Sequence, residues 1–200
     1  MALAPPLPPL SDPILVVVLD TETTGLYPSR DRIIEIAVVL VAADPATGRI
    51  LAEHGRYSAL QDPGCPIPYG AFAVHGITNA MVKGHRIDPE AVRALLQRAD
   101  LVVAHNSGFD KGFVAQVVPE AAGMLWGCSC RGIPWRSHFP LANARLQDLA
   151  RALGVQPGTA HRALGDVETT LGLLATPLPT LGCTALGHLL RKKCPARIFA

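Results

Sequence analysis

Charge is scarce in this 200-residue chain: Asp, Glu, Lys and Arg make up 17% of it, and the two signs nearly cancel to a formal +2. So even a balance carries no electrostatic footprint, and it excludes inferring a nucleic-acid partner from charge alone. Aromatic residues are few, at 5%, but the apolar fraction of 49% argues against global disorder and fits a sizeable core. No apolar run reaches the roughly 20 residues that a membrane-spanning helix needs. The longest, Ile33 to Ala43, is interrupted by Glu35. At the N-terminus no basic stretch precedes an apolar one, so a signal peptide is not expected. The five cysteines (65, 128, 130, 183 and 194) are odd in number and lack the C-x-x-C pairing of a zinc site. They read as reduced thiols, which makes the cytoplasm the expected compartment and a membrane partner unexpected.

What the chain has in quantity is proline and glycine, 18 of each, with the prolines gathered at the two ends. The length suits one domain. Residues 1–12 read as a proline-rich flexible lead-in, 13–176 as the domain, and 177–200 as a linker and C-terminal segment. The abrupt apolar end, RIFA, reads as the edge of something longer, hence a truncation. Within the domain, ILVVVL at 14–19 has the continuous β-branched character of a strand buried on both faces. Ile33–Val41 is a second strand, and DPATG at 44–48 turns it towards a third at 50–57 as an antiparallel hairpin. Asp88 and Pro89 start a helix with Val92, Leu95, Leu96 and Ala99 at helical spacing. LVVA at 101–104 is another buried strand, and Ser107 is placed to cap a helix carrying Phe109, Phe113 and Val117. Two further helices follow, one over Leu146–Leu153 closed by Gly154, the other over Ala163–Ala175. Strands first, then alternating helices and strands, imply a mixed sheet with helices on its faces.

Acidic residues recur at the ends of these elements. In VVVLDTETTGL, residues 16–26, Asp20 and Glu22 follow an apolar strand and share one of its faces, where buried like charges are costly without a cation. Their bland reading is a solvated turn. Asp110 in HNSGFD has the bland reading of a capping box with Ser107. His161 and Asp166 in HRALGD open an apolar helix, where either could serve only the cap or the dipole. Singly, these readings hold.

Taken together, D-x-E after the first strand, H-N-x-x-F-D after a later strand and H-x-x-x-x-D at a late helix resemble the DEDDh family of 3′-to-5′ exonucleases, which includes polymerase proofreading subunits. TTGL at 23–26 and VHGIT at 74–78 extend the resemblance over roughly Ile14 to Ala175. It implies a ribonuclease-H-like α/β fold with a mixed five-stranded sheet flanked by helices. It also implies that Asp20, Glu22, Asp110 and Asp166 hold two divalent cations, Mg2+ or Mn2+, with Asp20 bridging the pair and His161 as general base. Thr23, Leu26, His75, Asn106 and Phe109 are the implied substrate contacts. Each has a bland alternative: turn shaping for Thr23 and Leu26, packing against Phe113 for Phe109, and a satisfied polar core for the other two. Trp126 and Trp135 are expected to pack rather than stack.

The implied reaction is release of nucleoside 5′-monophosphates from 3′ ends of single-stranded or frayed DNA, with RNA left open and a polymerase or repair partner in prospect. The alternatives are a catalytically silent nucleic-acid-binding or adaptor module of the same fold, against which all five catalytic positions are filled, and an endonuclease on that fold. The pattern departs from the family at Val167, where many relatives keep a small residue, and Gly165 is expected to loosen the hold on Asp166.

Overall fold

A computed structural model of the chain describes residues 12–198. The proline-rich lead-in up to residue 11 and the last two residues of RIFA lie outside the described residues.

The apolar runs form the strands that their composition requires. β1 (Ile14–Thr23) and β2 (Ile33–Ala43) pair antiparallel, β2 is buried along its whole length, and β3 (Ile50–Leu60) completes an antiparallel meander. After α1 (Tyr69–His75), α2 (Asn79–Val82) and α3 (Pro89–Leu96), the chain crosses over to β4 (Leu101–Ala104), which lies parallel to β1. α4 (Ser107–Val117) then leads to β5 (Trp126–Cys128), parallel to β4. The strand order is β3-β2-β1-β4-β5, a mixed five-stranded sheet with helices on both faces. β1 is central, so its C-terminal end is flanked by neighbours of opposite direction. β4 delivers α4 there, and β2 begins there.

Strand alternation sorts β1 between two cores. Val16 and Val18 face a cluster with Trp135, Leu149, Val167, Leu173 and Leu189, contributed by α5 (Trp135–His138), α6 (Leu146–Leu153), α7 (Ala163–Leu174) and the C-terminal helix described below. Val17 and Leu19 face Val92, Leu96, Phe113 and Val114 of α3 and α4. Trp126 and Trp135 are both buried and each donates its indole N–H to a backbone carbonyl, so they pack. Residues 177–193 form a short ladder, Pro177–Leu178 with Cys183–Thr184, followed by α8 (Ala185–Lys193). Leu186, Leu189 and Leu190 of α8 are fully buried in the first cluster.

Helix signals hold where they are local. Asp88 caps α3 through Glu90 N–H at 2.9 Å, with Pro89 in the first turn, and Gly154 closes α6 at φ 67°. Ser107 does not cap α4. The residue before it, Asn106, is the N-cap at φ 78° and makes no side-chain cap bond, because β4 enters the helix through a left-handed turn.

Candidate active site

The acidic pair sits where β1 ends. A register irregularity between Glu22 and Thr23 interrupts the pairing of β1 with β2 just at the pair. Asp20 and Glu22 project on the α7 side, and Asp166, in the first turn of α7, meets them. One carboxylate oxygen from each of the three lies within 4.8 Å of the others. Asp166 is itself held by two donors, Gln147 Nε2 at 2.9 Å and the His161 N–H at 3.1 Å. Asp110, in the first turn of α4, is 2% exposed and stands outside this triad. Its Oδ1 accepts the hydroxyl of Thr21 at 2.9 Å, and its charge reaches Asp20 and Glu22.

The electrostatics record this crowding. Burial, then Asp110, Glu22 and Asp166, push Asp20 well above the usual carboxylate range. Burial, then Asp166 and Glu35, raise Glu22 to about 8, with Arg162 pulling it down. Burial raises Asp110 to about 7 against the bond from Thr21, and burial also raises Asp166. Four carboxyls that resist ionising together, offering only hard oxygen donors, are the chemistry of a site for divalent cations.

His161 is exposed at φ 57°, immediately before α7. Its left-handed turn is made possible by glycines on both sides of a backbone crossing. A Cβ on Gly165 would collide with the Thr159 backbone, and one on Gly158 would collide with Gly165. Thr169 links the two strands of this crossing, accepting from Gly158 N–H at 3.0 Å and donating to the Gly165 carbonyl at 2.7 Å. Close approach to the Thr159 backbone therefore requires glycine at position 165, whatever its helix propensity. Val167, the other departure, is fully buried in the core.

Beside the acids opens a cleft of about 630 Å3 lined by Glu22, Thr23, Leu26, Tyr27, Val74, His75 and Phe109, among others. Leu26 stands 72% exposed at its mouth. Thr23 is buried, its hydroxyl donating to the Gly25 carbonyl at 2.6 Å. His75 is buried at the end of α1, with Nδ1 accepting from Ile77 N–H at 2.9 Å. Neutral His75 therefore carries its proton on Nε2, which makes no hydrogen bond of normal geometry. Phe109 lines the cleft and also packs on Phe113, ring centroids 4.9 Å apart, so both readings of it hold. Asn106 is not among the cleft-lining residues.

Several residues of the site escape a reading of the sequence. Thr21, Gln147 and Arg162 carry no local signal, since their partners are 89, 19 and 127 residues away. Glu35 does carry one, as the acid inside an otherwise apolar strand. It is 4% exposed, opposite Glu22 in the β1–β2 register, and paired with Arg162.

Known proteins fit this geometry. The sequence pattern of the RNase T-type family described as Exonuclease matches residues 17–174. The chain belongs to that exonuclease family. It is 42% identical over 194 residues to a DNA polymerase III subunit epsilon-like protein of Rhodobacter capsulatus, covering 90% of this chain and 26% of that protein. It is 32% identical over 160 residues to the 3′-5′ exonuclease DinG of Bacillus subtilis, covering 77% of this chain and 16% of that protein. The chain thus spans about a quarter or less of the length of these relatives. Among solved structures, exonuclease X in complex with 5′ overhanging duplex DNA superposes with a TM-score of 0.62 at 31% identity, covering 87% of this chain and 97% of that one. An exonuclease domain of ribonuclease-H-like fold therefore occupies most of the chain. Among the described residues no helix is long and apolar enough to cross a membrane.

Proposed function

We propose that the chain hydrolyses phosphodiester bonds one at a time from the 3′ end of single-stranded or frayed DNA, releasing nucleoside 5′-monophosphates. The observation that carries this reading is the meeting of Asp20, Glu22 and Asp166 within ligand distance beside a cleft of nucleotide scale. Asp20, Glu22, Asp110 and Asp166 would hold two divalent cations, Mg2+ or Mn2+. When bound, such a pair would activate the attacking water and stabilise the departing 3′ oxygen.

The protein's own groups do the rest. His161, exposed in its turn, takes the proton of the attacking water. Thr23, Leu26, His75 and Phe109, which line the cleft, hold the terminal nucleotide. The exposed Leu26 offers an apolar surface for a base. Asn106 acts at a distance, by setting the turn that aims α4 and Asp110. A cytoplasmic polymerase or repair assembly is the chain's proposed setting, in keeping with the name of the Rhodobacter relative.

The test is incubation of 5′-labelled linear single-stranded DNA and RNA with Mg2+. A ladder shortening from the 3′ end is expected, lost with a chelator and in Asp20→Asn, and slowed by roughly 10²- to 10⁴-fold in His161→Ala if the imidazole is the base. Cleavage of a circular single strand, or digestion that survives the chelator, would overturn the proposal.

A further inference from the structure

Glu35 and Arg162 form the most completely bonded ion pair in the described structure. Arg162 Nε lies 3.2 and 3.1 Å from the two Glu35 oxygens, and its Nη2 lies 2.7 Å from Oε1. The same carboxylate accepts the backbone N–H of Ala163 at 2.9 Å. That last bond is a helix cap delivered from another element. α7 begins without a side-chain cap of its own, and a strand 128 residues away supplies one.

The consequences reach both ends of the acid site. Residues 161 to 163 are fixed in succession, His161 N–H by Asp166, then the Arg162 side chain and Ala163 N–H by Glu35. His161 holds a left-handed conformation that is unfavourable for a residue with a Cβ, so surrounding bonds must enforce it. On the other side, Glu35 is the cross-strand neighbour of Glu22. Its negative charge adds to the crowding there, and the guanidinium bound directly against it offsets part of that. All four bonds on Glu35 come from Arg162 and Ala163. It lies outside the three-carboxylate group.

We infer that Glu35 and Arg162 are positioning residues: a strut between β2 and the start of α7 that holds His161 and Asp166 in register with the β1 acids. On this inference Glu35 is not an additional cation ligand, and Arg162 is not a phosphate contact. The inference rests on the proposed roles of His161 and the acids.

The variants Glu35→Gln and Arg162→Lys, with the double Glu35→Gln/Arg162→Gln, test it. The first removes the negative charge and half of the fork, and the second keeps the positive charge but cannot bridge both oxygens. Supporting the orienting groups around metal ligands is typically worth about 10- to 100-fold. Each single variant should therefore lower kcat by about that factor, with KM for a labelled oligonucleotide within about twofold. The double should fall no further than the worse single, because the pair acts as one unit. Calorimetric titration with Mn2+ alone should give the parent's stoichiometry in both singles. In the metal-free protein, amide hydrogen exchange at Ala163 should be faster.

A raised KM with kcat preserved in Arg162→Lys would make Arg162 a substrate contact and overturn the inference. A lost Mn2+ equivalent in Glu35→Gln would make Glu35 a ligand and do the same. If Glu35→Gln does not fold, the Arg162→Lys arm still decides, since that side chain is partly exposed. Failure of the site reading shows separately, as full activity in His161→Ala, and leaves the exchange and Mn2+ readouts intact.

Discussion

Glu22 and Asp110 illustrate how a single residue's chemistry sets a property of the whole chain. Their ordinary values are 4.5 and 3.8, and the fold holds them at about 8 and about 7. Both pKa values are raised in the folded state, chiefly by burial, so the folded protein binds protons that the unfolded chain has released. Their contribution to stability is fully present below about pH 4 and is lost as the pH climbs through 7 to 8. The metal-free protein is therefore expected to lose thermal stability between pH 5 and 8. Each kcal/mol lost lowers Tm by about 2–4 °C for a domain of this size. Saturating Mn2+ should flatten that decline by supplying the countercharge. A melting temperature that rises over pH 5 to 8 without metal would show that the carboxyls are not crowded as described. The bland readings of the same residues fail on position. Asp20 and Glu22 lie in β1 and not in a turn, and Asp110 accepts the Thr21 hydroxyl in place of capping with Ser107.

At the scale of elements, what the sequence revealed depended on how local the cause was. β1 and β2 are legible because a strand buried on both faces must be apolar throughout, and α3 and α6 because their caps lie within a few residues of what they cap. α1 escaped: YGAFAVH has seven residues and only one buried side chain, so no periodicity marks it. The acids and His161 were legible through their motifs. Thr21, Gln147 and Arg162, which hold those groups in place, were not, because each acts on a partner far along the chain. Gly165 was read by propensity and is in fact governed by contact. Its tight crossing with Thr159 gives a sharp expectation. Gly165→Ala should destabilise the protein by about 1–3 kcal/mol through overpacking and displace the His161 turn. Denaturant unfolding would register the first effect and a fall in kcat the second. Parental stability and rate in the Gly165→Ala variant would mean that the crossing relaxes without consequence.

For the whole molecule, the topology explains why such distant residues meet. β1 lies between an antiparallel neighbour that starts at its C-terminal end and a parallel neighbour that ends there. That one end therefore collects Glu35 from β2, Asp110 from the helix after β4, and Asp166 from the helix that packs across β1 and β2. Burial on both faces of the sheet fixes the positions at which those elements emerge, and like-charge crowding is the cost of placing five acids there. The most direct measurement is anomalous diffraction from crystals of the protein soaked in Mn2+ with a nucleoside 5′-monophosphate. The account predicts manganese peaks enclosed by Asp20, Glu22 and Asp166, with the nucleotide base between Leu26 and Phe109. Manganese bound elsewhere, with that recess empty, would contradict it.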